Sequence, residues 1–268
     1  MTRIAVVGAG KLGEALLSGM LRAGRSPDDL ILTARRVERA GELSERYGVP
    51  ALSNADAARE ASILLVTVKP QDIEPLLGEL APAMSTETLV ISVVAGIPTA
   101  LIERRLGDGI PVVRVMTNTP VLVDEAMSAI SAGRHATDWH LAAAEQIFAP
   151  VGKVMRVPES QQDAVTALSG SGPAYFFFLV EAMTDAGILL GLPRTVAADL
   201  LVQTALGAAV MLRDTGEHPV RLREAVTSPG GTTINAIREL ENHGVRAAFL
   251  SAIEAARDRA RELGSAVG

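Results

Sequence analysis

The chain has no cysteine. Disulfides and thiolate metal sites are therefore excluded, and a reducing compartment fits without being proved. It has no basic excess either: 25 Lys and Arg face 31 Asp and Glu, giving a net charge of −6 and a pI near 5.3. A nucleic-acid partner normally requires a basic face, so none is expected. Long apolar runs are also missing. "TRIAVVG" at the start runs at once into glycines and Lys11, with no small-residue cleavage site, so no secretory leader is read. The run "PAYFFFLVEAM" is cut by Glu181 and then Asp185, too short to span a bilayer and better read as a buried helix. The expectation is a cytoplasmic protein with no membrane and no nucleic-acid partner.

What is present is a 268-residue chain, 48% hydrophobic, enough for one large domain or two modest ones. Up to about Val157, short β-branched runs ("RIAVVG", "LILTA", "SILLVTV", "TLVISVV", "PVVRVM") alternate with stretches of helical spacing. That alternation predicts βαβ units and a largely parallel sheet. After about Glu159 the strand signals vanish. Helices are predicted from near Pro173, from Pro193 to a stop near Gly216, and over "VRAAFLSAIEAARDRARELG". The fold class is α/β, with a dinucleotide-binding domain over 1–158 and an all-helical domain over 159–268. The helix from Pro193 is apolar or small around most of its circumference, so it must be buried on all sides. A half of this size hardly supplies that cover alone. An intertwined homodimer is expected, with a helix packed only by its own neighbours as the alternative.

The first strand runs into "GAGKLG" and a helix, the context that a G-x-G-x-x-G fingerprint of the Rossmann type requires. Gly8 allows the tight turn, Gly10 lets a pyrophosphate approach the backbone, and Gly13 lets helix and strand pack closely. The helix N-terminus offers free N–H groups and partial positive charge to the phosphates. Strand two ends at Thr33 and Ala34, followed by Arg35 and Arg36, with no acid for a ribose diol. Two guanidiniums suit a 2′-phosphate, which favours NADPH, with NADH as a second donor. The alternative is that both arginines are solvated. Later strand ends, Lys69-Pro70-Gln71, Val94-Ala95-Gly96 and Thr117-Asn118-Thr119-Pro120, should edge the same cleft.

In the helical half, "LSGSGPAYFFF" and "VTSPGGTTINAI" place hydroxyls and glycines before helix starts, where anions bind. For the second, the amides of Gly231, Thr232 and Thr233 and the hydroxyls of Ser228 and Thr233 converge on one anion, unless Ser and Thr are ordinary caps. The four histidines, His135, His140, His218 and His243, show no metal spacing, and no metal site is expected.

"TALSGSGPAY…DAGILLGLPR" followed by "TSPGGTT" resembles the pyrroline-5-carboxylate reductase family, and "GAGKLG", "VKPQ", "VAGI" and "MTNTP" occur in that family's order. The resemblance covers nearly the whole chain. It implies reduction of 1-pyrroline-5-carboxylate to L-proline, the last step of proline biosynthesis, with NADPH or NADH. It implies dimers with interlocked helical domains, built up into rings such as decamers, and a site between the dinucleotide-binding half of one subunit and the helical domains of both. Dinucleotide contacts fall on Gly8, Ala9, Gly10, Lys11, Leu12, Gly13, Arg35, Asn54, Val68, Lys69, Pro70, Ala95 and Gly96, to which the strand-end reading adds Arg36 and Asn118. The substrate carboxylate falls on Ser228, Gly230, Gly231 and Thr232. Thr233 matches the hydroxyl that bonds the ring nitrogen, and Glu159 an acid near the substrate. Ala225 stands where some members place a cofactor-contacting Asn, which puts that contact in doubt. The rivals are a β-hydroxyacid dehydrogenase, disfavoured because no lysine follows Lys153, and a non-catalytic NADP-sensing regulator.

Overall fold

The computed structural model describes residues 2–265. They fall into two compact units, Met1–Ser171 with Ala256–Gly268, and Gly172–Ala255.

In the first unit the elements run β1 (Ile4–Val7), α1 (Lys11–Arg22), β2 (Leu30–Leu32), α2 (Val37–Tyr47), α3 (Asn54–Glu60), β3 (Ile63–Val66), α4 (Ile73–Leu80), β4 (Leu89–Ser92), α5 (Thr99–Leu106), β5 (Val112–Met116), β6 (Ala126–Ala132), α6 (Asp138–Phe148), β7 (Gly152–Arg156) and α7 (Gln162–Val165). The five predicted strand runs form one sheet with two more strands, in the order β2-β1-β3-β4-β5-β6-β7. Pairing is parallel except between β5 and β6. The extra strands escape the sequence pattern because β6 ("AMSAISA") is small and polar and β7 ("GKVMR") is mostly exposed.

The continuous apolar character of β1 has a simple cause. Ile4 and Val6 pack with Leu16, Leu17, Leu43 and Phe148 on one face, while Ala5 and Val7 pack with Leu64, Leu77 and Ile102 on the other. A strand covered by helices on both faces has no reason to alternate. On the first face α1 and α2 are tied by Glu14, which accepts from Arg39, from Arg46 at 2.9 Å and from the Tyr47 hydroxyl at 3.0 Å. Burial pushes the Glu14 carboxyl up, but these three donors together hold it below the usual carboxylate range.

The second unit begins with α8 (Gly172–Leu189) and α9 (Arg194–Thr215), which pack so closely that a Cβ on Gly187 would lie 2.8 Å from the Ala197 Cβ. Then come α10 (Pro219–Ala225), α11 (Thr232–Asn242) and α12 (Val245–Ser265), the last passing back into the first unit. Both expected helix starts, near Pro173 and at Pro193, and the stop at Gly216 are observed. Very little of this unit is buried. Phe176, Phe177 and Phe178 are 67%, 69% and 68% exposed, and Leu200, Val202 and Leu206 are likewise open. By length and composition alone α9 is apolar enough to cross a membrane.

Candidate active site

The order β2-β1-β3 puts the chain reversal of the sheet at β1, where ligands of open parallel sheets bind outside the carboxyl ends of the strands. The glycine turn sits there. Gly8 has φ +83°, and a Cβ on it would overlap Val68 Cγ1. A Cβ on Gly13 would lie 2.6 Å from Thr67 Oγ1 and 3.1 Å from Val6 Cγ1. Gly10, the N-cap of α1, is different: its φ is −78°, and a Cβ there would meet nothing nearer than the Gly8 carbonyl at 3.9 Å. Protein packing accounts for glycine at 8 and 13. At 10 it accounts for nothing, so the open space suits a ligand approaching the backbone.

Two threonines, Thr33 at the strand end already noted and Thr67, shape this turn. Gly8 N–H donates to Thr33 Oγ1 (3.2 Å), Ala9 N–H to the Thr33 carbonyl (2.8 Å), and the Thr67 hydroxyl to the Gly8 carbonyl (3.0 Å). Each is the first residue beyond its strand, β2 or β3, a position readable only once the strands are aligned side by side.

The other expected cofactor residues lie at the same strand ends. Lys11 and Leu12 open α1, and Val68, Lys69 and Pro70 follow β3. Ala95 and Gly96, the latter at φ +76°, follow β4. The end of β2 holds no acid of its own, but the fold brings two in from elsewhere. Asp72 lies 3.4 Å from the exposed Arg35 guanidinium, and Glu79 accepts from Asn54 Nδ2 at 3.0 Å. Arg36, the N-cap of α2, has no polar side-chain partner among the described residues.

Asn118 and Glu159 are occupied by the protein itself. Asn118 Nδ2 donates to the Ser169 carbonyl and its Oδ1 accepts from Met127 N–H, both at 3.0 Å. It thereby ties the end of β5 to "TALSG" (166–170), a π-helical turn of a kind frequent at functional sites. Glu159 accepts from Thr99 N–H (2.8 Å), Thr99 Oγ1 (2.6 Å) and the buried Arg114 (3.3 Å), so it caps α5. The sequence signal for that cap is "PT" opening a helix, but its partner is 60 residues away.

In the second unit, "SPGGTT" links α10 to α11. Gly230 has φ +67°, Gly231 is the N-cap, and Thr232 and Thr233 form the first turn. The Gly231 amide donates to the Ser228 carbonyl at 3.1 Å, so it closes the turn and is not a free donor as the sequence suggested. A Cβ on Gly231 would overlap Ser228 Oγ. No side chain caps α11, and the hydroxyls of Ser228, Thr232 and Thr233 make no hydrogen bond among the described residues. Ordinary capping is therefore not what these hydroxyls do. The histidines have local duties: His140 Nδ1 accepts from Thr137 N–H, His218 Nδ1 from Val220 N–H, and His135 faces Asp108.

A Rossmann-type sheet with a glycine turn at its switch point, followed by a helical domain with an open apolar face, defines a dinucleotide-dependent oxidoreductase of two-domain build. Residues 3–96 match the family model described as NADP oxidoreductase, coenzyme F420-dependent, and residues 159–263 match that of pyrroline-5-carboxylate reductase dimerisation. Pyrroline-5-carboxylate reductase of Mycobacterium tuberculosis is 47% identical, with 98% of this chain and 97% of the relative covered. That of Corynebacterium melassecola is 46% identical over 98% and 99%. The solved structure from Coxiella burnetii superposes with a TM-score of 0.93 at 37% identity, covering 98% of each chain. The Plasmodium falciparum enzyme, solved with NADP bound, superposes at 0.87 with 27% identity, also over 98% of each. The chain belongs to the pyrroline-5-carboxylate reductase family. It is an NAD(P)H-dependent oxidoreductase acting on a C=N bond, reducing 1-pyrroline-5-carboxylate to L-proline in the last step of proline biosynthesis. These relatives lend no support to a hydroxyacid dehydrogenase or a non-catalytic sensor.

Proposed function

We propose that NADPH is preferred over NADH, that Ser228–Thr233 is the substrate cradle, and that Thr233 is the catalytic residue. The observation that carries the cradle and the role of Thr233 is the pair of unspent hydroxyls, Ser228 and Thr233, at an uncapped helix N-terminus; the NADPH preference is supported by Arg35 and Arg36 beyond β2. Residues 1–158 are read as the NADP-binding domain and 159–268 as the dimerisation and substrate-binding domain, a division supported by the family match beginning at 159, although residues 159–171 and the end of α12 pack with the first compact unit.

The residues fit a dinucleotide, as the unexplained open space at Gly10 indicates. Gly8 to Gly13, Val68 to Pro70, Ala95 and Gly96 would hold it, with Arg35, Arg36 and Asn54 at the adenosine end. Asn118 serves by fixing the end of β5. When bound, the dinucleotide supplies a hydride for the carbon of the substrate's C=N bond. The chain's part is to orient and neutralise. The free amides of Thr232 and Thr233 and the Ser228 hydroxyl hold the carboxylate, helped by the positive end of α11. Gly230 and Gly231 give the turn its shape. The Thr233 hydroxyl accepts from the protonated imine nitrogen, which keeps its proton as it becomes the amine of proline. Such positioning can lower a barrier by about 7–11 kcal/mol in favourable cases. Glu159, which the resemblance marks as an acid near the substrate, fixes the start of α5 through Thr99, since its own oxygens are engaged.

The exposed apolar face of α8 and α9 supports a homodimer. Decamers as the larger assembly and a cytoplasmic location without a membrane partner belong to the same proposal, and the net charge of −6 speaks against a nucleic-acid partner. NADPH oxidation with pyrroline-5-carboxylate tests the site. Wild-type turnover with an unchanged rate in Thr233→Ala would remove Thr233 from the mechanism.

A further inference from the structure

A chain of hydrogen bonds runs from the glycine turn to the surface through three residues from different parts of the sequence. Gly8 N–H donates to Thr33 Oγ1 at 3.2 Å. The Thr33 hydroxyl donates to Asn54 Oδ1 at 2.6 Å. Asn54 Nδ2 donates to Glu79 Oε2 at 3.0 Å on the exposed side. Thr33 is buried, 3% exposed, and no other side-chain hydroxyl reaches either the Gly8 amide or the Asn54 carboxamide among the described residues.

Glu79 sets the direction of this chain. A threonine hydroxyl has one proton and two lone pairs, so Thr33 Oγ1 can accept from the Gly8 amide and still donate to Asn54 Oδ1. The Glu79 carboxylate only accepts, so the reverse orientation of the carboxamide would set Oδ1 against it. With the NH2 group held at Glu79, the Thr33 proton meets the inward oxygen of Asn54. The consequence is that Asn54 offers the outer surface an NH2 group, which has two protons and spends one on Glu79.

We propose that Thr33 is a positioning residue for the dinucleotide: its hydroxyl locks the Gly8 peptide at the phosphate turn and turns the Asn54 amide so that its N–H faces the adenosine end. The chemistry it prepares is donation to an oxygen of the ribose or its phosphate. One side chain thus sets the geometry of two contacts, and Thr33 itself touches neither ligand group. The proposal rests on the cofactor site assigned above.

The test is NADPH affinity by fluorescence titration, with kinetics on the same variants. Thr33→Val keeps the shape and removes the hydroxyl. Its Kd and KM for NADPH should rise roughly tenfold, as for loss of one or two hydrogen bonds, while kcat at saturating NADPH holds. Thr33→Ser should restore most of the affinity. Asn54→Ala should weaken binding similarly, and Thr33→Val with Asn54→Ala should be little worse than either alone, because both break one relay. Unchanged affinity in Thr33→Val, or fully additive losses, would overturn the proposal. If Thr33→Val does not fold, Asn54→Asp decides. It keeps the inward acceptor but loses the outward donor, so unchanged affinity there is equally fatal. Gly10→Ala separates this from the parent reading. Its Cβ meets no protein atom nearer than the Gly8 carbonyl at 3.9 Å, so unchanged NADPH affinity in that variant would sink the cofactor site itself, whereas a loss there with Thr33→Val unaffected would sink only the relay.

Discussion

Two turns in this molecule look alike on paper. Gly10 and Gly231 are both glycine N-caps, each opening a helix and each lacking a side-chain cap. Hydroxyls surround both. At the first turn they are spent on the backbone, Thr33 and Thr67 bonding the two sides of the Gly8 peptide. At the second, Ser228 and Thr233 are unspent. A hydroxyl bonded to backbone builds a shape, whereas one left open beside free amides is poised for a ligand. The phosphate turn thus needs only backbone N–H groups to bind an anion, while the proposed cradle adds side-chain chemistry to the same helix-end field.

The contrast is best broken at its strongest point. Thr233→Ala should lower kcat by on the order of 10²-fold, the upper end for loss of a hydrogen bond to a charged group worth about 1.5–3 kcal/mol, with little effect on thermal stability. A matching fall in Tm without loss of kcat would make it a structural residue like Thr67. Next in size is the open helical unit. Leu206→Asp places a charge on the exposed apolar face of α9. It should dissociate the dimer in sedimentation velocity and remove most activity at dilute enzyme. A monodisperse dimer would clear that face of the interface.

A smaller effect is expected at the end of β2. Arg35→Ala with Arg36→Ala should cut the ratio of kcat/KM for NADPH over NADH by roughly 10- to 100-fold, since bonds between charged groups are worth about 1.5–3 kcal/mol. Arg36→Ala alone should account for more of this than Arg35→Ala, because Asp72 already faces Arg35. An unchanged ratio in the double variant would end the 2′-phosphate assignment. The smallest effect concerns the frame of the first turn. Glu14 has its carboxyl held low by Tyr47, Arg39 and Arg46 against the opposing push of burial. Its contribution is present above the unfolded pKa of about 4.3 and is lost as pH falls through the lower folded value. Glu14→Gln should therefore cost about 1 kcal/mol or less near neutrality. The loss should shrink toward zero in urea melts run at progressively lower pH. A constant difference at all pH values would show that packing, not charge, joins α1 to α2.

Much of the fold is legible in the sequence where the signal is local. Strands β1 to β5 announce themselves as β-branched runs, and α9 is bounded by Pro193 and Gly216. The fold is hidden where the signal is shared across the chain. β6 and β7 lie at the end of the sheet with small or solvent-facing residues, so neither period nor apolarity marks them. The free acceptors of Glu159 and Asn118 looked available in sequence. In the fold Glu159 accepts from Thr99, 60 residues away, and Asn118 Oδ1 accepts from Met127 N–H at the start of β6.

By itself the sequence determined the class of the fold, the glycine turn, the helix starts and the motifs that place the chain in its family. These depend on backbone preferences and periodicities that act over a few residues. Only the tertiary structure decided which polar groups are spent. It showed Gly231 N–H closing its own turn, Asp72 and Glu79 brought to a strand end without acids of its own, and Thr33 sharing its hydroxyl between Gly8 and Asn54. A hydrogen bond has one donor and one acceptor, and which pair forms is settled by strand register and helix docking, not by composition.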